Sequence, residues 1–398
     1  MKNLQNKTIG VFFGGQNPEH EISIITGEFI IAELRKMDLK VVAVYVDKTG
    51  VWYSNEKISE LKFFQKDYTK KLRGLSSCCL DLTSSKNKLV LQHNKFLSKK
   101  KIDIDFVFPA FHGLYGEDGT IQGLAEFFRV PYAGCGIYAS SVSIDKGLTK
   151  KFLNSLNIPT TNFITSNKHE FVNDEKDLIS KIKTTLTFPI FVKPAKTGSS
   201  IGITKVKNDV DLKDALALAF HYDTQIVVEN SVENIADLTC AVLSDGSEVV
   251  ISEVQESVFE SSDLFDYSVK YLEDGGAQTG NAESNLIIPA NISNKQTEQI
   301  KEYSRRIFKE IEASGTIRVD FLLNKKTGEL FANEINTLPG TLYHHLWKKT
   351  GYPINEVLEK MLMHGYVKWK ESQEIQNDFK TDVLNNANQL KLQYQSES

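Results

Sequence analysis

Two stretches late in the chain, TIRVDFLLN and ELFANEIN, alternate apolar and polar residues and are joined by Lys325-Lys326-Thr327-Gly328. Few arrangements suit such a pattern. The two-residue period of a strand puts Arg318 and Asp320 on one face, with Val319 and Phe321 on the other, and on the return strand it puts Glu334 and Asn336 together. Hard oxygen donors beside an arginine suit a magnesium ion bridging nucleotide phosphates, since magnesium takes a few carboxylates and completes its octahedron with phosphate and water. The plainer alternative is a solvated hairpin with surface charges, and four residues alone do not exclude it.

Three further motifs favour the site. KPAKTGSSIG (193–202) lies between the strand-like FPIFV and ITKVK. Its glycines and hydroxyl residues leave backbone N–H groups able to wrap phosphate oxygens, and Lys193 adds positive charge. Alone it reads equally as an ordinary hairpin turn, and no helix follows directly, as a GxxxxGK[ST] P-loop requires. HGLYGEDGTIQG (112–123) sets His112 at a strand end beside glycines, ahead of a helix whose first N–H groups are open to an acceptor. Glu117 or Asp118 fits there as a helix cap. GGQNPEHEIS (14–23) turns at Gly14-Gly15 and places Glu19 or Glu21 at a helix start, as a cap or as a partner for an ammonium group.

The 398 residues, 41% hydrophobic and 25% charged, fit a globular chain of two or three domains. A net charge of -4 and a pI near 6.1 point to small-molecule partners and away from nucleic acid or an anionic membrane. Cys78, Cys79, Cys135 and Cys240 show no CxxC spacing, which suits reduced cytoplasm better than a disulfide framework or zinc site. No signal core or membrane-length apolar run is evident, so a cytoplasmic location is expected.

TIGVFF, EISIITGEFIIAELRKM and KVVAVYVD read as a βαβ unit of an α/β fold. Four blocks are expected. Residues 1–147 form a parallel-sheet domain, with an insertion of hairpins and loops at about 51–101. Residues 148–230 form a central unit carrying the 193–202 loop, residues 231–370 a unit carrying the metal hairpin, and residues 371–398 a polar tail.

GGxxxEHEIS, HGxxGEDGxIQG, DK, VKPxxxGSSIG, YxxKY, RVDF and NEINTLPG occur here in the order in which they occur in D-alanine–D-alanine ligases, and from Lys7 to about Gly365 the chain resembles that family of the ATP-grasp superfamily. The resemblance implies an ATP-grasp fold of three subdomains with α/β and α+β elements. It implies ATP as cofactor with one or two magnesium ions, for which manganese can substitute, and a homodimer. It places magnesium on Asp320, Glu334 and Asn336, and a transition-state arginine at Arg318. ATP phosphates fall to Lys146, Lys193 and Lys270, with Ser200 in the loop beside them; adenine falls to Glu229 and ribose to Asp237, where the family usually has a glutamate. Glu19, Ser199 and Tyr271 match a trio linking the first substrate's ammonium group to the active-site loops. The implied chemistry is carboxylate activation as an acyl phosphate, followed by attack of an amine, with Arg318 and N–H groups near Gly340 meeting the oxyanion.

One departure stands out. After NTLPG the family commonly continues with a hydroxyl-rich stretch whose second serine holds the acceptor's carboxylate, but here TLYHHLWKK puts His345 in that place. Either His345, protonated or through an N–H, binds a carboxylate in a dipeptide ligase, or the aromatic pocket suits another acceptor: another amino acid, an amino sugar or a hydroxy acid. A third alternative has His344 and His345 only capping the turn. Beyond ligases stand a catalytically silent nucleotide-binding regulator, whose expected loss of a metal ligand or phosphate lysine is not seen, and a carrier-dependent carboxylase, against which the Glu19–Ser199–Tyr271 trio argues.

Overall fold

The alternation in TIRVDFLLN survives in three dimensions: in β15 (Thr316–Asn324) Val319, Phe321 and Leu323 are buried, while Arg318, Asp320 and Leu322 are half-buried on the opposite face. The computed structural model describes residues 4–94, 100–258, 286–376 and 381–382.

The first sheet begins with β1 (Thr8–Gly14), α1 (His20–Lys36) and β2 (Lys40–Val46). β1 pairs in parallel with β2 on one side and β7 (Phe106–Pro109) on the other, as the βαβ reading requires. The 51–101 stretch is built into this sheet. Its strands β3 (Trp52–Tyr53), β4 (Ser77–Leu80), β5 (Leu89–His93) and β6 (Lys101–Ile104) continue antiparallel from β2, in the order β6-β5-β4-β3-β2-β1-β7. Two short helices, α2 (Leu61–Phe64) and α3 (Tyr68–Leu72), bury Phe63 and Leu72 against the main core. Then follow α4 (Thr120–Phe127), α5 (Ile137–Ile144) and α6 (Lys146–Ser155), the last capped by Asp145, whose side chain accepts from the Gly147 and Leu148 amides.

The second sheet is antiparallel, in the order β10-β9-β11-β8, from β8 (Phe163–Asn167), β9 (Ile190–Pro194), β10 (Thr204–Val206) and β11 (Gln225–Asn230). α8 (Glu175–Thr185) and α9 (Leu212–Tyr222), which follow the short α7 (Lys168–Asn173), close its core through Leu178, Ile182, Leu216 and Phe220. The third sheet, in the order β14-β13-β12-β15-β16, contains β12 (Ile235–Ser244), β13 (Val249–Ser257), β14 (Leu286–Ile287) and β16 (Leu330–Asn336). The helix Asn294–Glu310, opened by a Ser293–Gln296 capping box, covers its apolar face with Ile300, Ile307 and Phe308.

What brings the first and third sheets together is a shared core. Trp347, Leu358, Met361 and Leu362, from the helices His344–Thr350 and Ile354–Glu374, pack in one cluster with Ile9, Val11, Ile30 and Ile31 of β1 and α1. Each such side chain contributes on the order of 1.5–3 kcal/mol by burial. The segment leaving β16 is thereby pinned against the start of α1. No helix among the described residues is long and apolar enough to cross a membrane.

Candidate active site

The hairpin register sets Arg318 opposite Asn336 and Asp320 opposite Glu334, and β12 sets Thr239 beside Asp320. Arg318 Nε and Nη2 donate to the two Asp320 carboxylate oxygens at 2.8 and 2.6 Å. Thr239 Oγ1 and Asn336 Nδ2 each add a donor at 3.1 Å. The guanidinium also lies 4.8 Å from the centre of the Tyr343 ring. Burial opposes the arginine's charge, but Asp320 and Tyr343 outweigh it and raise the pKa of Arg318. Asp237, two residues before Thr239 in β12, shares its face, and after burial its charge is among those that raise the pKa of the Tyr343 hydroxyl.

Facing this surface is Glu19, the residue before α1. Ser199 Oγ donates to Glu19 Oε1 at 2.5 Å, so the 193–202 loop is drawn onto the first strand's exit. The approach depends on Gly198, where a Cβ would stand 2.4 Å from Glu19 Oε2 and 2.6 Å from Oε1. Ser199 and Ser200 follow at φ 55° and 57°, a left-handed pair costing on the order of 1 kcal/mol or more each. Lys146, at the start of α6, donates to the Thr197 carbonyl at 2.6 Å and so holds the same loop. Burial raises the pKa of Glu19, offset in part by the Ser199 bond; Glu334 raises it further, while Lys146 and Arg318 lower it, so one electrostatic neighbourhood joins all five groups.

The glycine-rich 112–123 loop clamps the other side. Glu117 is no helix cap: its carboxylate accepts from the Gly113 amide at 2.8 Å and from the Leu338 amide at 3.1 Å. Burial, then the nearby Glu19, pushes Glu117 up to about 8. Asp118 accepts from the Tyr115 and Thr120 amides at 2.9 Å each, at the helix entry. His112 is buried, pushed down to about 3 chiefly by desolvation, and its Nε2 lies 2.7 Å from Thr26 Oγ1. That hydroxyl also accepts from the Thr341 amide at 3.2 Å. Thr341, Leu342 and Tyr343, just after the buried Gly340, all adopt left-handed φ of 44°, 55° and 51°. Three such non-glycine residues in a row are costly, and the Thr26 and Glu117 bonds hold that turn in place.

The turn delivers the two histidines to different places. His344 lies 4.9 Å from the Phe29 ring at a tilt of 33°, with Nδ1 3.3 Å from the Thr341 carbonyl, a local role. His345 lies 4.8 Å from the Tyr343 ring and carries its Nε2 to within 2.8 Å of Gln255 Oε1 on β13. Burial first, then His344 and Arg318, push His345 down to about 4. The protonated form considered from sequence is therefore not the one present at neutral pH, because desolvation opposes it and the neighbouring His344 and Arg318 add to that effect.

Lys193 and Glu229 meet diagonally across the paired strands β9 and β11, forming a buried ion pair. Glu229 pairs with Lys150 of α6 as well, and Thr161 Oγ1 donates to Glu229 Oε2 at 2.6 Å. Burial opposes ionisation, yet the two lysines outweigh it and hold the Glu229 carboxyl well below the usual range. Lys270 and Tyr271 lie outside the described residues. Among the described residues no cluster of three or more His, Cys, Asp or Glu side chains is gathered as a metal site, so Asp320 and Glu334 with the Asn336 amide are what the hairpin offers.

Thr26, Lys150 and Gln255 escaped the sequence reading. Helical spacing was the available signal for two: Lys150 is four residues after Lys146 on α6, and Thr26 seven after Glu19 along α1. Gln255 carried none, since only strand pairing brings β13 beneath His345.

Comparison with known proteins identifies the family. The family described as D-ala D-ala ligase N-terminus matches residues 8–135, and that described as D-ala D-ala ligase C-terminus matches residues 152–363. The D-alanine--D-alanine ligase of Thermosipho africanus is 36% identical over 363 residues, 91% of this chain and 94% of that one. The D-alanine--D-alanine ligase of Caldicellulosiruptor bescii is 35% identical, covering 92% and 97%. Among solved structures, the D-alanine-D-alanine ligase from Coxiella burnetii superposes with a TM-score of 0.75 at 26% identity, covering 93% and 97%. The VanG D-Ala:D-Ser ligase from Enterococcus faecalis gives 0.74 at 29%, covering 90% and 99%. Fold and relatives together define an ATP-dependent ligase of the ATP-grasp class, which forms C–N bonds between small molecules. The chain belongs to the D-alanine–D-alanine ligase family.

Proposed function

We propose that this enzyme activates D-alanine with ATP and condenses it with a second D-alanine, releasing ADP and phosphate. The observation that carries the reading is the Ser199–Glu19 hydrogen bond, which sets the 193–202 loop against the same electrostatic neighbourhood as Arg318 and Glu334. The donor's ammonium group lies against Glu19, in a trio completed by Ser199 and Tyr271. Its carboxylate attacks the γ-phosphorus of ATP, the bond to the β-phosphate oxygen breaks, and an acyl phosphate forms beside Arg318. Lys146, Lys193 and Lys270 offset the phosphate charge, with Ser200 in the loop over it; Glu229 meets adenine and Asp237 the ribose. The acceptor amine then attacks the acyl carbon, loses a proton and expels phosphate. Arg318 and the N–H groups near Gly340 meet the oxyanion, while the Ser199 loop keeps water from the acyl phosphate. His112 and a neutral His345 line the substrate space.

Hard oxygens on adjacent strands beside an arginine fit magnesium, which needs only one or two carboxylates when phosphates complete its shell. Asp320, Glu334 and Asn336 would hold one or two such ions, or manganese. The ion would neutralise charge on the transferring phosphoryl group. The units 1–147, 148–230 and 231–370 act as three subdomains, with 371–398 a tail, the enzyme works as a homodimer, and its place is the cytoplasm, where ATP is at hand.

Relatives named for D-alanine favour this acceptor over the hydroxy-acid or amino-sugar alternative, and neither the regulator nor the carboxylase finds support among them. The test is magnesium-dependent phosphate release from ATP with D-alanine alone, with product mass read alongside. D-alanyl-D-alanine as the main product is expected. Phosphate release without dipeptide, together with a new condensed mass from a pool of amino and hydroxy acids, would overturn the acceptor.

A further inference from the structure

Glu229 is one carboxylate serving two ammonium groups, and all three side chains are at most 6% exposed. Burial lowers the pKa of Lys150, with Glu229 opposing and Lys193 adding to it, so a second anion joining the group would favour its fully charged form. The two carboxylate oxygens are divided between the lysines: Oε1 faces Lys193, while Oε2 takes Lys150 together with the Thr161 hydroxyl. Lys150 is further fixed by Thr160 Oγ1 and Thr161 Oγ1 at 2.9 Å each, and its Nζ lies 5.7 Å from the centre of the Phe163 ring. Its helix is seated closely on the sheet: a Cβ at Gly147 would stand 2.7 Å from Thr165 Cγ2, and the Lys146 amide donates to the Ala195 carbonyl at 2.9 Å. Lys150 is thus held by the carboxylate and both threonines. Lys193, whose Nζ lies 5.5 Å from the centre of the Phe191 ring, stands at the mouth of the glycine-rich loop, the side from which a phosphate would approach.

We propose that Lys150 is a positioning residue that keeps Glu229 ionised and in place while Lys193 transfers from Glu229 Oε1 to a phosphate of the bound nucleotide. This rests on the ATP-ligase reading above and adds a residue to it. Before nucleotide binds, Lys193 is stored against the carboxylate. Once phosphate arrives, the charges balance as two lysines against one carboxylate and the phosphate, and Oε1 is left as a hydrogen-bond acceptor facing the nucleotide. Without Lys150, the same transfer strands a buried carboxylate without a counter-ion.

The test compares steady-state kinetics of the full-length enzyme and Lys150→Met at saturating D-alanine across pH 6 to 9. The KM for ATP is expected to rise about 100-fold at pH 8, the cost of breaking a buried pair, while kcat changes by less than about threefold. The rise should shrink as pH falls, because protonating Glu229 frees Lys193 without leaving a charge behind. Lys150→Arg should restore most of the affinity. A merely structural lysine would give no such pH slope. If Lys150→Met does not fold, the Thr160→Val/Thr161→Val pair, which removes the hydroxyl anchors, should show a smaller rise with the same slope. A KM for ATP within twofold of the parent in either variant, or a rise independent of pH, overturns the proposal. Lys193→Ala separates the two ideas: loss of ATP saturation there with a normal KM in Lys150→Met sinks only the Lys150 role, whereas normal ATP use by Lys193→Ala sinks the phosphate reading itself.

Discussion

Gly198→Ala tests the closed loop with a single methyl group. The backbone at Gly198 is not in the left-handed region, so close contacts, rather than a left-handed φ, set the effect of alanine. The new carbon would stand 2.4, 2.6 and 2.7 Å from Oε2, Oε1 and Cδ of Glu19, where ordinary contact begins at 3.4 Å. Something must move by about 1 Å. The carboxylate has little room to retreat, because the backbone of Gly113 closes its other side, near enough that a Cβ there would be 2.8 Å from Oε2. Whether the loop or the carboxylate yields, the 2.5 Å Ser199–Glu19 hydrogen bond lengthens to roughly 3.5 Å and is lost. A hydrogen bond to a charged group contributes about 1.5–3 kcal/mol. That corresponds to a fall in kcat/KM for the first D-alanine of roughly 10- to 150-fold. The assay couples ADP formation to dipeptide measured by mass, since a loop held open should also let water compete for the acyl phosphate and raise ADP formed per dipeptide. A variant with kcat/KM and coupling both within twofold of the parent would refute the reasoning, and with it the claim that the loop works in the position seen here.

Asp320→Asn, which removes one of the two carboxylates facing each other across the hairpin, and Lys193→Ala should each abolish ATP-dependent dipeptide formation; near-normal turnover in either purified variant would remove that residue from the site. His345→Ser should move acceptor preference toward D-alanine in competition with larger amino acids, and an unchanged product profile would show that His345 does not line the acceptor pocket. Glu28 in α1 is buried with Oε1 unpartnered, and burial first, with Glu60 adding to it and Arg35 opposing, pushes it up to about 8. Its folded pKa lies above the unfolded value, so the native state holds the proton longer, and stability should fall as pH rises from about 4.5 through 8. Glu28→Gln should therefore raise Tm by a few degrees at pH 8 and hardly at all at pH 4.5; equal shifts at both would show that Glu28 is not the group responsible.

What the sequence made legible followed from periodicity. The two-residue period gave the Arg318/Asp320 face and its partner Glu334/Asn336 face, and strand pairing then set them in register. Short strands were harder. β3 and β4 run for two and four residues in Lys- and Ser-bearing sequence, too brief for alternation to be seen; β3 becomes a strand because an edge of β2 is there to pair with, and β4 because it lies between β3 and β5. Glu117 shows the same limit at the site. Beside a helix start it reads as a cap, and nothing local says otherwise; its carboxylate goes instead to the Leu338 amide, 221 residues away, because the shared core pins the segment after β16 against the 112–123 loop. His345 carries the point into chemistry. Sequence placed it where the family has a serine, and left protonated and neutral forms both open. The choice is made by desolvation beneath Tyr343 and by the charge of Arg318, neither of which a chain position can express. A neutral ring whose Nε2 is committed to Gln255 has no net charge to offer a carboxylate, so in the acceptor role proposed for it His345 would act through shape and hydrogen bonding.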